Sequence, residues 1–259
     1  MLSIHVSVRD WGAEMNQYLK VINADRKRIF RDPFLLFMVV MPVIFALALR
    51  HLLPLLRERF IANFDLATYY PLIIGLFVVT PALYIAAVLS LQLIEEREEN
   101  ILSAVAATPF SLNRYFGVRL VGYTVLAAAL MMTVQLLIGM TPLSPARIAW
   151  LAITLSLQVP ILALGISIYA DNQVEGMVAL KTSSLLVLPA LAMFFVEDAW
   201  HLLGGILPAY WPIMAFFSSY RPDMPAYFFP LSIAIGLIYQ LVLIRWLFSG
   251  FSRKAKFAH

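Results

Sequence analysis

The sequence predicts an all-α integral membrane protein with six transmembrane helices, and three observations carry that reading. Hydrophobic residues make up 62% of the 259 residues and charged ones 13%, against roughly 45–50% and about 25% in soluble domains. That much apolar surface exceeds what one soluble core can bury, so a bilayer is the natural solvent. The apolar residues also fall in long, nearly uncharged runs, and about 20 residues of helix cross roughly 30 Å of hydrocarbon. Finally, Lys and Arg concentrate in alternate loops, as the positive-inside rule requires of a multi-pass chain.

Residues 1–33 carry ten charges and no apolar h-region, so no secretory signal is expected there. Within them, Met15, Tyr18, Leu19, Ile22 and Ile29 recur at helical spacing beside Lys20, Arg26, Lys27 and Arg28. This is the pattern of an amphipathic helix lying in the headgroup region, though a solvated basic tail would share the charges. Asp32-Pro33 ends it.

The expected spans are 34–53, 69–94, 120–140, 148–170, 176–196 and 225–244. Pro42 should kink the first, and Pro71 and Pro81 favour a bend in the long second. Pro160 and Pro189 fall inside the fourth and fifth. Residues 54–68 read as a short linker and 141–147 as a tight turn. Residues 197–224 are too apolar for a solvated loop and too broken by Gly204, Gly205, Pro208 and Pro212 for a span. A re-entrant or interfacial hairpin fits, with Trp200, Tyr210 and Trp211 at the headgroup level. A six-span domain over 34–250 is thus flanked by a cytoplasmic N-terminus (1–33) and a basic tail (251–259). Only Arg50, Arg57, Arg59, Arg147 and Arg221 of the 19 Lys and Arg fall on one side of this topology, so both termini are expected in the cytoplasm.

The absences narrow the chemistry. No GxxxxGK[ST] motif is present, so the chain has no phosphate-binding loop of its own. The four histidines are scattered, there is no cysteine, and neither HExxH nor GxSxG occurs. No catalytic residue, metal site or nucleic-acid partner is expected. Proton relays need ionisable residues inside the spans, and the middles of all six lack them. Asp171, Glu175, Glu197 and Asp198 sit at span ends and read as solvated. Work must then come from a partner.

The most charged run, Glu95 to Arg119, supplies a place for one. Glu95, Glu96, Glu98 and Glu99 close the second span, and Asn100 is suited to a left-handed turn. Residues 101–107, ILSAVAA, then read as a short helix that stops before Pro109. Ser111 or Asn113 caps the next helix, which enters the membrane after Arg119. A partner gripping this element would move the second and third spans together. A solvated linker also explains the charges, but not the apolar residues that follow them.

At these residues the sequence resembles the permease subunits of ABC-2-type exporters, whose pattern here is acid-Arg-Glu-x-Gly-Thr, a short helix, then Thr-Pro. This chain has Glu96-Arg97-Glu98-Glu99-Asn100-Ile101, then Thr108-Pro109, with Asn100 and Ile101 in place of the usual glycine and threonine. Arg31-Asp32-Pro33 is similar to the family's entry segment after its connecting helix. Asp171 to Gly176 is similar to the loop before its fifth span, and Leu207-Pro208-Ala209-Tyr210-Trp211-Pro212 to the motif before its last. Within the superfamily the closest flavour is that of fluoroquinolone export permeases.

The resemblance implies a permease in a prokaryotic plasma membrane, working as a homo- or heterodimer surrounded by membrane lipid. Two separate cytoplasmic ABC ATPase subunits would drive it and carry the ATP and Mg; this chain would bind no cofactor. It implies ATPase coupling through Glu96, Arg97, Glu98, Glu99, Asn100, Ile101, Leu102, Thr108 and Pro109, braced by Arg26, Lys27, Arg28 and Arg31 of the connecting helix. The second and fifth spans would line the route. On them Phe77, Thr80 and Tyr84, and Leu188, Ala192 and Phe195, fall on single helical faces, which suits a drug-like, amphiphilic or lipid-like substrate. Ordinary helix packing explains such faces equally well. Two other classes remain open at this point: a membrane scaffold or anchor that recruits a soluble protein through the Glu-rich loop, and a secondary carrier.

Overall fold

A computed structural model describes residues 8–61, 64–106, 111–185, 188, 194–195, 199–222 and 224–257. Among these every regular element is a helix. In chain order they are α1 (Val8–Arg31), α2 (Pro33–Phe60), a 3₁₀ turn (Leu66–Tyr69), α3 (Tyr70–Glu98), α4 (Ile101–Ala106), α5 (Leu112–Ile138), α6 (Pro145–Ser156), α7 (Gln158–Tyr169), α8 (Gln173–Leu185), a second 3₁₀ segment (Ala199–Ile206), α9 (Tyr210–Ser218) and α10 (Phe228–Phe257).

Five segments are long and apolar enough to cross a membrane: Pro33–Phe60, Leu66–Glu98, Leu112–Ile138, Pro145–Tyr169 and Phe228–Ser252. They contain the first, second, third, fourth and sixth expected spans, apart from a residue or a few at some ends. The expected fifth, 176–196, begins within α8, and most of its second half lies outside the described residues.

Local chemistry sets the ends. The Asp32 carboxylate accepts from the backbone N–H groups of Phe34 (2.8 Å) and Leu35 (3.2 Å), and Pro33 occupies the first helical position. Ser111 caps α5 and Ser144 caps α6, each accepting from an arginine N–H three residues on. Gly139 ends α5 in the left-handed conformation, φ +66°. Pro160 cannot donate to Ser156, and the fourth span breaks there into α6 and α7.

Two boundaries differ from expectation. The 54–68 linker is helical as far as Phe60, because Leu53 is buried and the Tyr70 hydroxyl donates to its carbonyl (3.1 Å). This docking offsets the bond that Pro54 cannot make. The last helix runs on to Phe257, well past Arg245 and Trp246. Its extra turns are held by Phe251, which is buried edge-on against Phe116 of α5 with ring centroids 4.8 Å apart. Tyr210 is 1% exposed inside the helix bundle, and Pro212 to Phe217 behind it are buried too. That segment packs on α10 and α6, where a Cβ on Gly236 would stand 3.1 Å from the Trp211 Cβ. A small residue at this crossing lets the two backbones approach.

The core is organised around α3. Every residue from Ile85 to Ile94 is buried, enclosed by α2, α5, α7 and α8. The outward faces of α2 and α10 instead expose Phe37, Val40, Ile44, Ile238, Leu241 and Val242, the side chains a lipid chain would solvate. The segment from Leu66 to Glu98 has 33 residues, about 50 Å of helix at 1.5 Å per residue. It exceeds the roughly 30 Å hydrocarbon thickness, so its acidic end projects beyond the apolar layer.

Candidate functional site: the charged end of the central helix

The last turns of α3 carry Gln92, Glu95, Glu96, Arg97 and Glu98, and each is engaged by another element. Gln92 and Glu96 are one turn apart and share a face. Opposite them, α5 presents Tyr115, Arg119 and Tyr123 at i, i+4 and i+8. The Arg119 guanidinium is 1% exposed. It donates to Glu96 Oε2 (2.6 Å), Gln92 Oε1 (2.6 Å) and Asp25 Oδ2 of α1 (2.9 Å). Tyr115 donates to Glu96 Oε2 (3.1 Å) and Tyr123 to Gln92 Oε1 (2.7 Å). One arginine therefore ties together the C-terminal parts of α1 and α3 and the N-terminal half of α5.

Arg28 of α1 adds a second clasp, to Glu95 (2.5 Å) and to Glu96 (3.3 Å). Three carboxylates, Asp25, Glu95 and Glu96, thus face two guanidiniums, Arg28 and Arg119; the two more buried acids, Asp25 and Glu96, are matched in number by the guanidiniums, while Glu95 sits at the rim with its side chain 35% exposed. That balance lets it persist with little water. Burial pushes the Asp25 carboxyl above its ordinary range, while the Arg119 guanidinium pulls the other way.

Arg97 and Glu98 face the other side. Arg97 donates to the carbonyls of Ser167 (2.6 Å) and Ala170 (3.2 Å) and lies 4.0 Å from Asp171. It satisfies carbonyls that the end of α7 leaves open, at the negative pole of that helix. Glu98 accepts from the backbone N–H of Gln173 (3.3 Å), at the positive start of α8. Between them, Glu175 N–H donates to the Asn172 side chain, and the Glu175 carboxylate accepts from Asp171 N–H, both at 2.9 Å. This reciprocal cap fixes the start of α8. Close packing supports it: a Cβ on Gly176 would lie 2.6 Å from the Ile94 Cδ1.

The chain leaves this junction abruptly. Glu99 is exposed, and Asn100 adopts φ +56°, the left-handed turn its residue type favours. The short α4 follows, with Leu102 buried in the main core at 6% exposure and Ile101 half-buried. Thr108 and Pro109 lie outside the described residues. So Glu95, Glu96, Arg97 and Glu98 are brought together with Arg28, whereas Arg26, Lys27 and Arg31 form no ion pair among the described residues. Arg97, one of the coupling residues expected to be braced by α1, holds α7 instead, because it projects from the opposite side of α3.

Sequence reasoning missed Asp25, Gln92, Tyr115, Arg119 and Tyr123. The signal was present: a polar stripe at four-residue spacing on α5, matched by Gln92 and Glu96 on α3. Arg119 was instead placed at the point of membrane entry.

The expected route residues divide. Thr80 and Tyr84 line a cavity of about 350 Å³ between α2, α3, α7 and α8. Phe77 packs edge-on against Phe45 of α2, centroids 5.4 Å apart. Leu188 and Phe195 are exposed, and Ala192 lies outside the described residues. No group of three potential metal ligands occurs among the described residues.

Residues 25–248 match the sequence model of the family described as Fluoroquinolones export permease protein Rv2686c-like. Two curated relatives are the fluoroquinolones export permease proteins Rv2686c, from Mycobacterium tuberculosis strain H37Rv, and MT2760, from strain CDC 1551. Each is 28% identical over 238 residues, which is 89% of this chain and 92% of the relative. The match begins at Asp25, the first residue of the buried ion cluster, and takes in all five apolar spans apart from the last few residues of the final one. The chain is a multi-pass membrane protein that belongs to the Rv2686c-like family of fluoroquinolones export permeases.

Proposed function

We propose that this chain is the permease subunit of an ATP-binding-cassette exporter, driven by a separate cytoplasmic ATPase that docks on the segment between α3 and α5. Two permease protomers form the route, both termini face the cytoplasm, and the cargo is an amphiphilic drug-like molecule. Membership in an export-permease family supports transport as the activity. The observation that carries the coupling reading is the ion cluster at the end of α3. A helix that only crossed the membrane could end in solvated charge. This one clasps α1, α5, α7 and α8 through side chains of its last two turns and then sends out a short helix anchored by Leu102.

A push on α4 would therefore reach the spans through specific bonds rather than through a slack loop. Exposed ion pairs contribute only about 0–1 kcal/mol each. A buried, shared arginine is far stiffer, because opening it strands a charge in a dry site.

The test is co-purification in nanodiscs of the permease with candidate cassette ATPases from the same genome. Replacing Ile101–Ala106 by a Gly/Ser linker should abolish retention of the ATPase while the permease still inserts. Equal retention by the linker variant would rule out docking at this segment.

A further inference from the structure

A second cavity lies beneath the first helix, on the side of α1 that faces α2 and α5. Ile22, Asp25, Arg26, Ile29 and Phe30 line it at i, i+3, i+4, i+7 and i+8, one helical face. Leu36 and Val39 of α2 and Val118, Gly122 and Leu126 of α5 form the other walls. Its volume is about 340 Å³, at the lower end of the range for ligand sites. Between Val118 and Leu126 it follows α5 for eight residues, about 12 Å, or roughly two-fifths of the hydrocarbon thickness. Leu36 and Val39 belong to the first two turns of the span that starts at Pro33. The cavity therefore begins at the level of α1 and descends into the hydrocarbon. Beside it on α5, Val121 and Val125 are exposed, so its mouth opens sideways toward lipid.

What the interior offers is hydrocarbon. The Arg119 guanidinium is committed to Asp25, Glu96 and Gln92, and the Tyr123 hydroxyl to Gln92. An occupant with polar atoms along its length would give up water there and find no free partner. At Gly122 a Cβ would meet nothing within 4 Å, so that wall stands open to an apolar chain. Arg26 is different. It is exposed at the rim and forms no ion pair among the described residues, and its long stem lets the charge stay in the headgroup layer. One positive charge at the mouth and bare hydrocarbon below it complement an amphiphile with an anionic head and an apolar tail.

We propose that this cavity holds one acyl chain of an anionic membrane phospholipid. The phosphate lies at Arg26, one chain runs down α5 past Gly122 to Leu126, and the second chain stays in the bilayer beyond Val121 and Val125. The lipid fills the gap under α1 and supplies the apolar wall behind Arg119. It thus holds α1 against the bundle and keeps water from the ion cluster, whose bonds are strong only while the site is dry. The assignment needs the membrane-spanning architecture alone and is independent of how transport is driven.

Photolabelling of the full chain in phosphatidylcholine nanodiscs tests it. The probes are phosphatidylglycerol and phosphatidylcholine carrying a diazirine in one acyl chain, each added at the same low mole fraction, with labelled peptides mapped by mass spectrometry. Phosphatidylglycerol should label the stretch from Val118 to Leu126 about fivefold more than phosphatidylcholine, the preference one arginine near the surface supplies. Arg26→Gln, at an exposed position, should level the two probes. Gly122→Leu and Val39→Phe, which fill the cavity from α5 and from α2, should each abolish labelling there. Labelling of the exposed Ile238 and Leu241 on α10 should persist in every variant and reports a folded, inserted chain. Undiminished labelling of 118–126 in both filled variants, with the α10 signal intact, would place the chain outside the cavity and overturn the proposal. Equal labelling by the two probes in the wild type would overturn the anionic head at Arg26. Displacement of the label by excess ciprofloxacin would give the cavity to cargo and overturn the lipid assignment.

Discussion

Arg119 concentrates the physics of this protein in one side chain. Its charge is 1% exposed and shared between Asp25 and Glu96, with Gln92 and Tyr115 completing its contacts. Removing one partner of a buried pair costs about 3–5 kcal/mol, because the other charge stays behind, whereas apolar replacement of both can be near neutral. Arg119→Met should therefore destabilise the fold by about 3–5 kcal/mol, because it strands Asp25 and Glu96, and adding Asp25→Asn and Glu96→Met should recover most of the loss. Denaturant unfolding of the purified protein in micelles measures both. Equal stability of the single and triple variants would show that the cluster is not electrostatically coupled. The sequence made these residues legible only in part. Glu96 stood out as charge at a span end and Arg28 as a basic neighbour. Arg119 read as an anchor at the membrane boundary, since its burial depends on where α1 and α3 lie, which no local pattern specifies.

At the scale of elements, the turn after α3 decides where α4 points. Asn100 at φ +56° is the one non-glycine residue with positive φ among the described residues. A left-handed conformation costs an ordinary L-residue about 1–2 kcal/mol, and a β-branched one is an outlier there. Asn100→Gly should keep stability and ATPase retention, whereas Asn100→Val should lose about 1–2 kcal/mol and weaken retention, both read from thermal unfolding and co-purification. A Val variant with unchanged retention would mean that the angle of α4 is unimportant. The left-handed turn and the short helix were both legible in the order of acids, Asn100 and apolar residues. The start of the first span was legible too, since Asp32-Pro33 is a local signal. What escaped was tertiary in origin. The extension of the last helix to Phe257 depends on Phe251 meeting Phe116. The burial of Tyr210 depends on a close crossing at Gly236, and hydropathy alone carries neither contact.

For the whole molecule, α3 combines a wholly buried stretch, Ile85–Ile94, with the end that enters the ion cluster. The cavity lined by Thr80 and Tyr84 lies along the same helix between Thr80 and Leu91, and Gln92 and Glu96 follow at once. In the proposed reading, motion imposed at α4 would reach the cavity walls through the clasps on α1, α5, α7 and α8. The most direct measurement is cargo-stimulated ATP hydrolysis by the permease–ATPase complex in nanodiscs, comparing wild type with the Asp25→Asn/Glu96→Met/Arg119→Met triple variant. The variant should still retain the ATPase through α4 and still hydrolyse ATP at its basal rate, but cargo stimulation should fall at least about tenfold, the loss expected when about 1.4 kcal/mol of coupling is removed. Undiminished stimulation in a well-folded triple variant would contradict the assignment of the ion cluster as the coupling element.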